Sequence, residues 1–174
     1  MATKKVAAKK SAPAKSSERA GARDAVELLK ADHKEVKALF EQYKKLVESE
    51  ETGGERQAVA QQICLLLTVH ATAEEEIFYS AARAAIDESE LLDEAEVEHA
   101  SAKDLIAQIE AMNPDDALYD AKVIVLGEYI DHHVKEEEGE MFPKCRKSDM
   151  DLVALGEAID ARKAELLEEM GAVA

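Results

Sequence analysis

His70-Ala71-Thr72-Ala73-Glu74 lies inside a long run that reads as one helix from Glu55 to about Asp87. Residues four apart stand one turn apart on the same helix face. His70 and Glu74 therefore share a side with Val59, Ile63, Leu66 and Ile77, with Phe78 and Ala81 beside it. That side is apolar apart from the pair at its centre. A buried ionised carboxylate is costly unless it is paired or bound to metal. The same spacing returns in His133-Val134-Lys135-Glu136-Glu137. The five histidines, His33, His70, His99, His132 and His133, fall on four separate predicted helices, each flanked by apolar residues at helical spacing. The pattern predicts convergence on one buried metal site.

The flanking stripes give the architecture. A first helix is expected from about Ala22 to Ser49, with Val26, Leu29, His33, Val36, Phe40, Tyr43 and Val47 in line. Thr52-Gly53-Gly54 is expected to end it and turn the chain. The third helix is expected from Ser89, read as an N-cap, to just before Asn113-Pro114, with Leu92, Ala95, His99, Ala102, Ile106 and Ile109 as its stripe. Asp115 or Asp116 is expected to start the fourth, which runs to about Lys147 through Tyr119, Val123, Leu126, Ile130, His133, Glu137 and Met141. Pro143 is expected to kink or end it. A last amphipathic segment, from Asp151 to about Met170, has no histidine and is assigned packing only.

Helices of similar length on short turns predict an all-α fold, an up-down-up-down antiparallel four-helix bundle. An additional C-terminal helix and a disordered basic N-terminal tail complete it. The expected division is a tail over residues 1–20 and one domain over residues 21–174. Counted from these helix ends, His33 and His70 stand level, while His99 and His133 are offset by about a turn, ~6 Å.

Composition agrees. Of 174 residues, 47% are hydrophobic but only 4% are aromatic, and seven Gly and three Pro leave few turns. Five lysines and Arg19 against Glu18 make residues 1–20 basic by +5, so the rest carries −21 of the net −16. An acidic domain argues against a folded nucleic-acid surface. The Lys/Ala tail cannot bury a core. It is either a solubilising tail or a weak contact for nucleic acid or another polyanion. Two cysteines, Cys64 and Cys145, form no disulfide framework, and Cys64 is expected as a buried free thiol. No apolar run is long enough for a membrane span, and no secretory signal opens the chain. A cytoplasmic location is the expectation.

Histidine nitrogens and carboxylates without thiolate suit iron, manganese or zinc. Two carboxylates able to bridge, among several histidines, suit two metals ~3.5–4 Å apart. Of the adjacent pair His132 and His133, the second lies on the cleaner apolar stripe. It is expected to face the core above Glu137, with His132 at the bundle edge.

The residues Asp32-His33-Lys34-Glu35, His70-x-x-x-Glu74-Glu75 with Ile77-Phe78-Tyr79, Glu98-His99, and His133-x-x-x-Glu137-Glu138 with Met141-Phe142-Pro143 resemble the hemerythrin-like, or HHE cation-binding, family. The resemblance covers about Ala25 to Lys147. It implies a non-haem di-iron centre, with two iron ions held by His33, His70, Glu74, His99, His133 and Glu137, and with the two glutamates bridging. The oxygen-carrying pattern of the family has a second histidine four residues after the one on the third helix. Here that position is Lys103. That pattern also has an aspartate five residues after the fourth-helix histidine, where this chain offers Glu137 or Glu138. Either a coordination position is open or a tyrosine fills it, and Tyr43, Tyr79 and Tyr129 are the candidates. The resemblance thus implies reaction with, or sensing of, oxygen, peroxide or nitric oxide rather than reversible oxygen carriage. The alternatives are iron storage or buffering, and a metal-free helical interaction module with a polyanion-binding tail. Glu75, Glu76, Glu136 and Glu138 are expected mostly on a solvated face, with one or two accepting from histidine N–H groups. Lys103 is expected to snorkel outward or to hydrogen-bond an oxygen species.

Overall fold

A computed structural model of the chain describes residues 23–49 and 53–171. The basic tail and Thr52 lie outside the described residues. Helix α1 is Ala25–Glu48. Helix α2 covers residues 53–85: Gly53–Ala73, a wide π-helical stretch Glu74–Tyr79, and Ser80–Ala85. Helix α3 is Ser89–Glu110. Helix α4 covers residues 119–147: Tyr119–Glu136, a second π-helical stretch Glu137–Met141, and Phe142–Lys147. Helix α5 is Leu152–Glu169. The fold is all-α, and the described residues contain no strand. The first four helices form the up-down-up-down bundle, α1 packing on α2 and α4, and α3 on α4 and α2. Helix α5 lies across α1 and α2. Among the described residues no helix is long and apolar enough to cross a membrane.

Asp24 sets the start of α1. Its carboxylate accepts from the Glu27 backbone N–H at 2.9 Å, and Glu27 accepts from the Asp24 N–H at 3.4 Å. This reciprocal box satisfies two of the helix's orphan donors. Other expected ends differ. Ser89 is the first residue of α3, and Glu88 before it makes no side-chain cap. Gly53 and Gly54 open α2 instead of closing a turn. The Asp116 carboxylate is used within the turn, accepting from the Asn113 N–H at 2.8 Å. Helix α4 therefore starts at Tyr119, after Leu118 in the left-handed region at φ 73°. Three expected helical residues are turn, which shortens the helical rise from the start of α4 to His133 by ~4.5 Å. Pro143 does not end α4. It follows the wide Glu137–Met141 turn, whose looser hydrogen bonding accommodates a residue with no N–H to give.

The core has two parts. One joins Val26, Leu29, Phe78, Leu92, Phe142 and Ile159 at the α5 end. The other joins Val36, Phe40, Ile63, Ile106, Tyr119 and Leu126 at the far end. Between them lies a polar layer. The buried polar residues of the bundle are His33, His70, Glu74, His99, His133 and Glu137.

Candidate metal centre

Each of the six residues reaches the layer for a helical reason. His33 and His99 sit mid-stripe on α1 and α3. His70 and Glu74, and His133 and Glu137, are paired one turn apart on α2 and α4. Each glutamate is the first residue of a π-helical stretch. Such stretches are rare and recur at functional sites. Each adds a residue to the turn and so rotates the side chains beyond it about the helix axis. Tyr79 and Phe142, each nine residues beyond the histidine of its pair, are thereby brought onto the opposite rings. Tyr79 stacks on His99 at 5.4 Å between centroids, and Phe142 on His33 at 5.8 Å.

The ligand-type atoms fall into two groups, each two histidines and one glutamate. His33, His70 and Glu137 form one; Glu74, His99 and His133 form the other. Each glutamate also reaches across. Glu137 Oε2 lies 3.3 Å from His33 Nε2 and 3.4 Å from His133 Nε2. Glu74 Oε2 lies 3.1 Å from His70 Nε2 and 3.7 Å from His99 Nε2. His99 Nε2 and His133 Nε2 are 3.0 Å apart.

All four rings are oriented the same way. Every Nδ1 faces a carboxylate: His33 to Glu138 at 3.0 Å, His70 to Asp32 at 3.2 Å, His99 to Glu75 at 2.9 Å, and His133 to Glu98 at 2.8 Å. Donation from Nδ1–H to these oxygens leaves every Nε2 turned inward, as ligation requires. Three of the four carboxylates are held by lysines. Lys163 on α5 grips Asp32 at 2.6 and 2.7 Å, Lys103 grips Glu75 at 2.6 and 2.8 Å, and Lys30 lies 3.6 Å from Glu138.

Lys103 is partly exposed, as a snorkelling lysine is, and its ammonium braces Glu75, the acceptor of His99. One expectation is corrected here. Helix α5 does more than pack, because its Lys163 braces the acceptor of His70. The tyrosines separate clearly. Tyr79 is buried, donates to Glu137 Oε1 at 2.8 Å and lies 3.4 Å from His99 Nε2. Tyr43 bonds Asp120 at the far end of the bundle, and Tyr129 is exposed. His133 is 3% exposed, whereas the His132 side chain is 65% exposed.

Without a metal, burial and the glutamates set the charge states of the layer against each other. Burial alone would drive His70 down, but Glu74 beside it and the hydrogen bond to Asp32 hold it up at about 10. His133 is likewise lifted against burial to about 10, by Glu137 and then Glu98. Burial wins at His99 and lowers it to about 4 despite Glu74. Burial also opposes ionisation of Glu137, yet His133 and His33 hold it well below the usual carboxylate range. Burial, with Glu74 and Glu137 nearby, keeps the Tyr79 phenol protonated. Cys145 is pushed up to about 11 by burial and then by Glu137, so it stays a thiol. Even so, His33 Nε2, both oxygens of Glu74 and Glu137 Oε2 are buried with no hydrogen-bond partner. Unsatisfied buried polar atoms are rare and call for a reason. Nitrogen and carboxylate donors gathered with no thiolate among them supply one, because they suit a metal cation.

The hemerythrin HHE cation binding domain profile matches residues 24–145. The chain belongs to the hemerythrin HHE cation-binding family. It is a metal-binding protein of hemerythrin-like fold. A crystal structure of a hemerythrin HHE cation binding domain-containing protein from Mycobacterium kansasii superposes with a TM-score of 0.69. That protein is 24% identical, over 84% of this chain and 89% of its own, and the likeness is one of fold. No curated protein matches the chain.

The gathering of the six residues into one buried layer was readable from spacing. Sequence reasoning missed Glu98 as a partner of His133 and Asp32 as a partner of His70. The signal was present: each precedes a core histidine, by one residue at Asp32-His33 and Glu98-His99, yet serves the ring on another helix.

Proposed function

We propose that this chain is a non-haem di-iron protein that reacts with or senses oxygen, peroxide or nitric oxide. In this reading His33, His70 and Glu137 would hold one iron, and Glu74, His99 and His133 would hold the other. The observation that carries it is the pair of three-residue groups with the glutamate of each lying against a histidine of the other, Glu74 against His70 and Glu137 against His133. Donors of this type without thiolate suit iron. Bound iron would supply redox chemistry toward small oxidants. The residues of the chain hold the rings by their Nδ1 atoms and keep water out with the two apolar cores. Tyr79 holds a proton at Glu137 Oε1.

A small-ligand role is supported by a cavity of about 20 Å³ lined by His70, His99, His133 and the apolar Leu67, Ile106 and Val134. That is room for one or two small atoms. Each group offers only two histidine nitrogens and one glutamate, a donor set that would leave room for a further ligand on a bound metal. Tyr79 is the one tyrosine placed to fill such a position. Iron storage is the weaker reading. Ferritin-like sites use Glu-x-x-His, and the one such spacing, Glu96 to His99, has Glu96 exposed and paired with Arg83 at 2.8 Å. Two free, buried cysteines accord with a cytoplasmic location. We further read residues 21–174 as one domain, since Lys163 of α5 joins the site, and the tail as dispensable for it.

Iron analysis and a visible spectrum of the full chain, purified under iron-replete conditions, test this. About two iron atoms per chain are expected, with loss of iron and colour in His133→Ala. Peroxide or nitric oxide added to the iron-loaded chain is expected to change the spectrum. Trace iron only, or an unchanged spectrum with every ligand, would sink the reading.

A further inference from the structure

The four carboxylates behind the histidines are not treated alike. Asp32, Glu75 and Glu138 each have a lysine ammonium within 4 Å: Lys163, Lys103 and Lys30. Glu98 has none. Among the described residues, no lysine or arginine pairs with Glu98 or with its neighbour Glu136. Their partners are histidines. His132 Nε2 lies 3.5 Å from Glu98 Oε1 and 3.3 Å from Glu136 Oε1. The other oxygen of Glu98 is taken by His133 Nδ1 at 2.8 Å. So at the one quadrant without a lysine the chain adds a second carboxylate and an imidazole, and the local charge becomes more negative.

We propose that His132, Glu136 and Glu98 form a surface site for a divalent cation, which occupies at Glu98 the place that lysines hold at the other three carboxylates. The spacing fits. Metal–nitrogen and metal–oxygen bonds of ~2.1 Å at tetrahedral angles set ligand atoms ~3.4 Å apart, and the two distances bracket that value. Only one oxygen of each carboxylate and the outward nitrogen of an exposed ring are needed, so no core residue moves. Helical geometry fixes two of the three ligands, because His132 and Glu136 stand one turn apart on α4. Helix α3 supplies the third. One imidazole with two carboxylates favours zinc or another late first-row cation over magnesium, which prefers oxygen and retained water. With only three protein ligands on an exposed surface, water completes the coordination and binding is weaker than at the buried pair. Glu98 thus sits between two cation sites, one oxygen for each, and its load is shared with His133.

The test uses the untagged full chain after iron loading, with zinc as the probe, by equilibrium dialysis and metal analysis. The wild type is expected to take up one zinc per chain more than His132→Ala, and one more than Glu136→Gln, with excess magnesium present throughout. Both substitutions lie on the surface, and the circular dichroism of each variant checks the fold. Equal zinc uptake by the wild type and either variant overturns the proposal. The result does not depend on the di-iron reading. Were the buried groups to take zinc in place of iron, they would do so alike in all three proteins, and the difference of one equivalent would still report the surface site.

Discussion

His70 and His133 carry the largest burden of charge in the layer, because the carboxylates around them outweigh burial and hold both at about 10. Raised histidine values mean that the metal-free fold binds protons the unfolded chain releases. Their stabilising contribution is complete below the unfolded value near 6.5 and is lost as pH rises through 10. His99 and Glu137, both lowered, act in the opposite sense. The unfolded chain takes up their protons first, so stability falls as pH drops below 6.5 and again below 4.5. The metal-free chain is therefore expected to show its highest urea midpoint near neutral pH, with a decline between pH 7 and 10. Imidazole must be neutral to bind metal, so loading at pH 7 is expected to release about two protons, read by calorimetry in buffers of different ionisation enthalpy. A flat midpoint and no buffer dependence would show that the two rings are already neutral. Lys103 gives a second expectation at this scale. It braces Glu75 and, through it, His99. Loss of such a support typically weakens metal binding ~10–100-fold. Lys103→Met is expected to show that loss in chelator competition while keeping its fold, and an unchanged affinity would mean that Glu75 holds His99 unaided.

Helix α5 meets the bundle at two residues with separable roles. Gly156 lies against the start of α1, where an added Cβ would stand 2.5 Å from the Arg23 carbonyl oxygen. Backbone cannot yield there, and overpacking of this kind costs about 1–3 kcal/mol. Lys163 instead reaches Asp32 and so supports His70. Gly156→Ala is expected to lower the melting temperature, and Lys163→Met to lower metal affinity with little change in melting. If both variants lose melting temperature and neither loses metal, α5 only packs, as its sequence suggested. The α5 role was not legible because a lysine on an amphipathic helix looks like any solvated charge until its partner on α1 is known. The α1 and α3 stripes were legible almost residue by residue, since an uninterrupted 3.6 period leaves one solution. Beyond Glu74 the period misled. The α-helical period puts Ile77 on the face with Phe78 and Ala81 beside it, yet Phe78, Tyr79 and Ala82 are the buried residues. The π-helical stretch adds one residue to the turn, and nothing in Glu74-Glu75-Glu76 announces it. The turn before α4 misled for another reason, because the Asp116 carboxylate accepts from the Asn113 N–H behind it instead of capping the helix ahead.

At the scale of the molecule, the bundle is two apolar cores separated by a layer that apolar packing cannot stabilise. Histidine, glutamate and their bracing carboxylates and lysines replace a cross-section of hydrophobic contacts. Four of the inward-facing atoms make no hydrogen bond within the protein, and three of those four meet only ion-pair contacts between histidine and glutamate. Unsatisfied buried groups cost about 1–3 kcal/mol each, so the layer is the weak plane of the metal-free fold. Any ligand that binds the folded chain and not the unfolded one stabilises it by mass action, by about 2.7 kcal/mol at a hundredfold excess over Kd. For a chain of this size, 1 kcal/mol moves the midpoint by about 2–4 °C. Metal loading is therefore expected to raise the melting temperature by roughly 5–10 °C under those conditions, and more at higher excess. The rise should vanish in a His70→Ala and His133→Ala double variant, which removes one nitrogen from each group. Deleting residues 1–19 should leave it intact, because no residue in that segment offers a metal-binding histidine or cysteine. Calorimetric scans of these three proteins, with and without metal, decide the matter. A loaded wild type that melts with its metal-free form would mean that the layer is satisfied without a cation. A rise lost on deletion of the tail would mean that the tail closes over the centre.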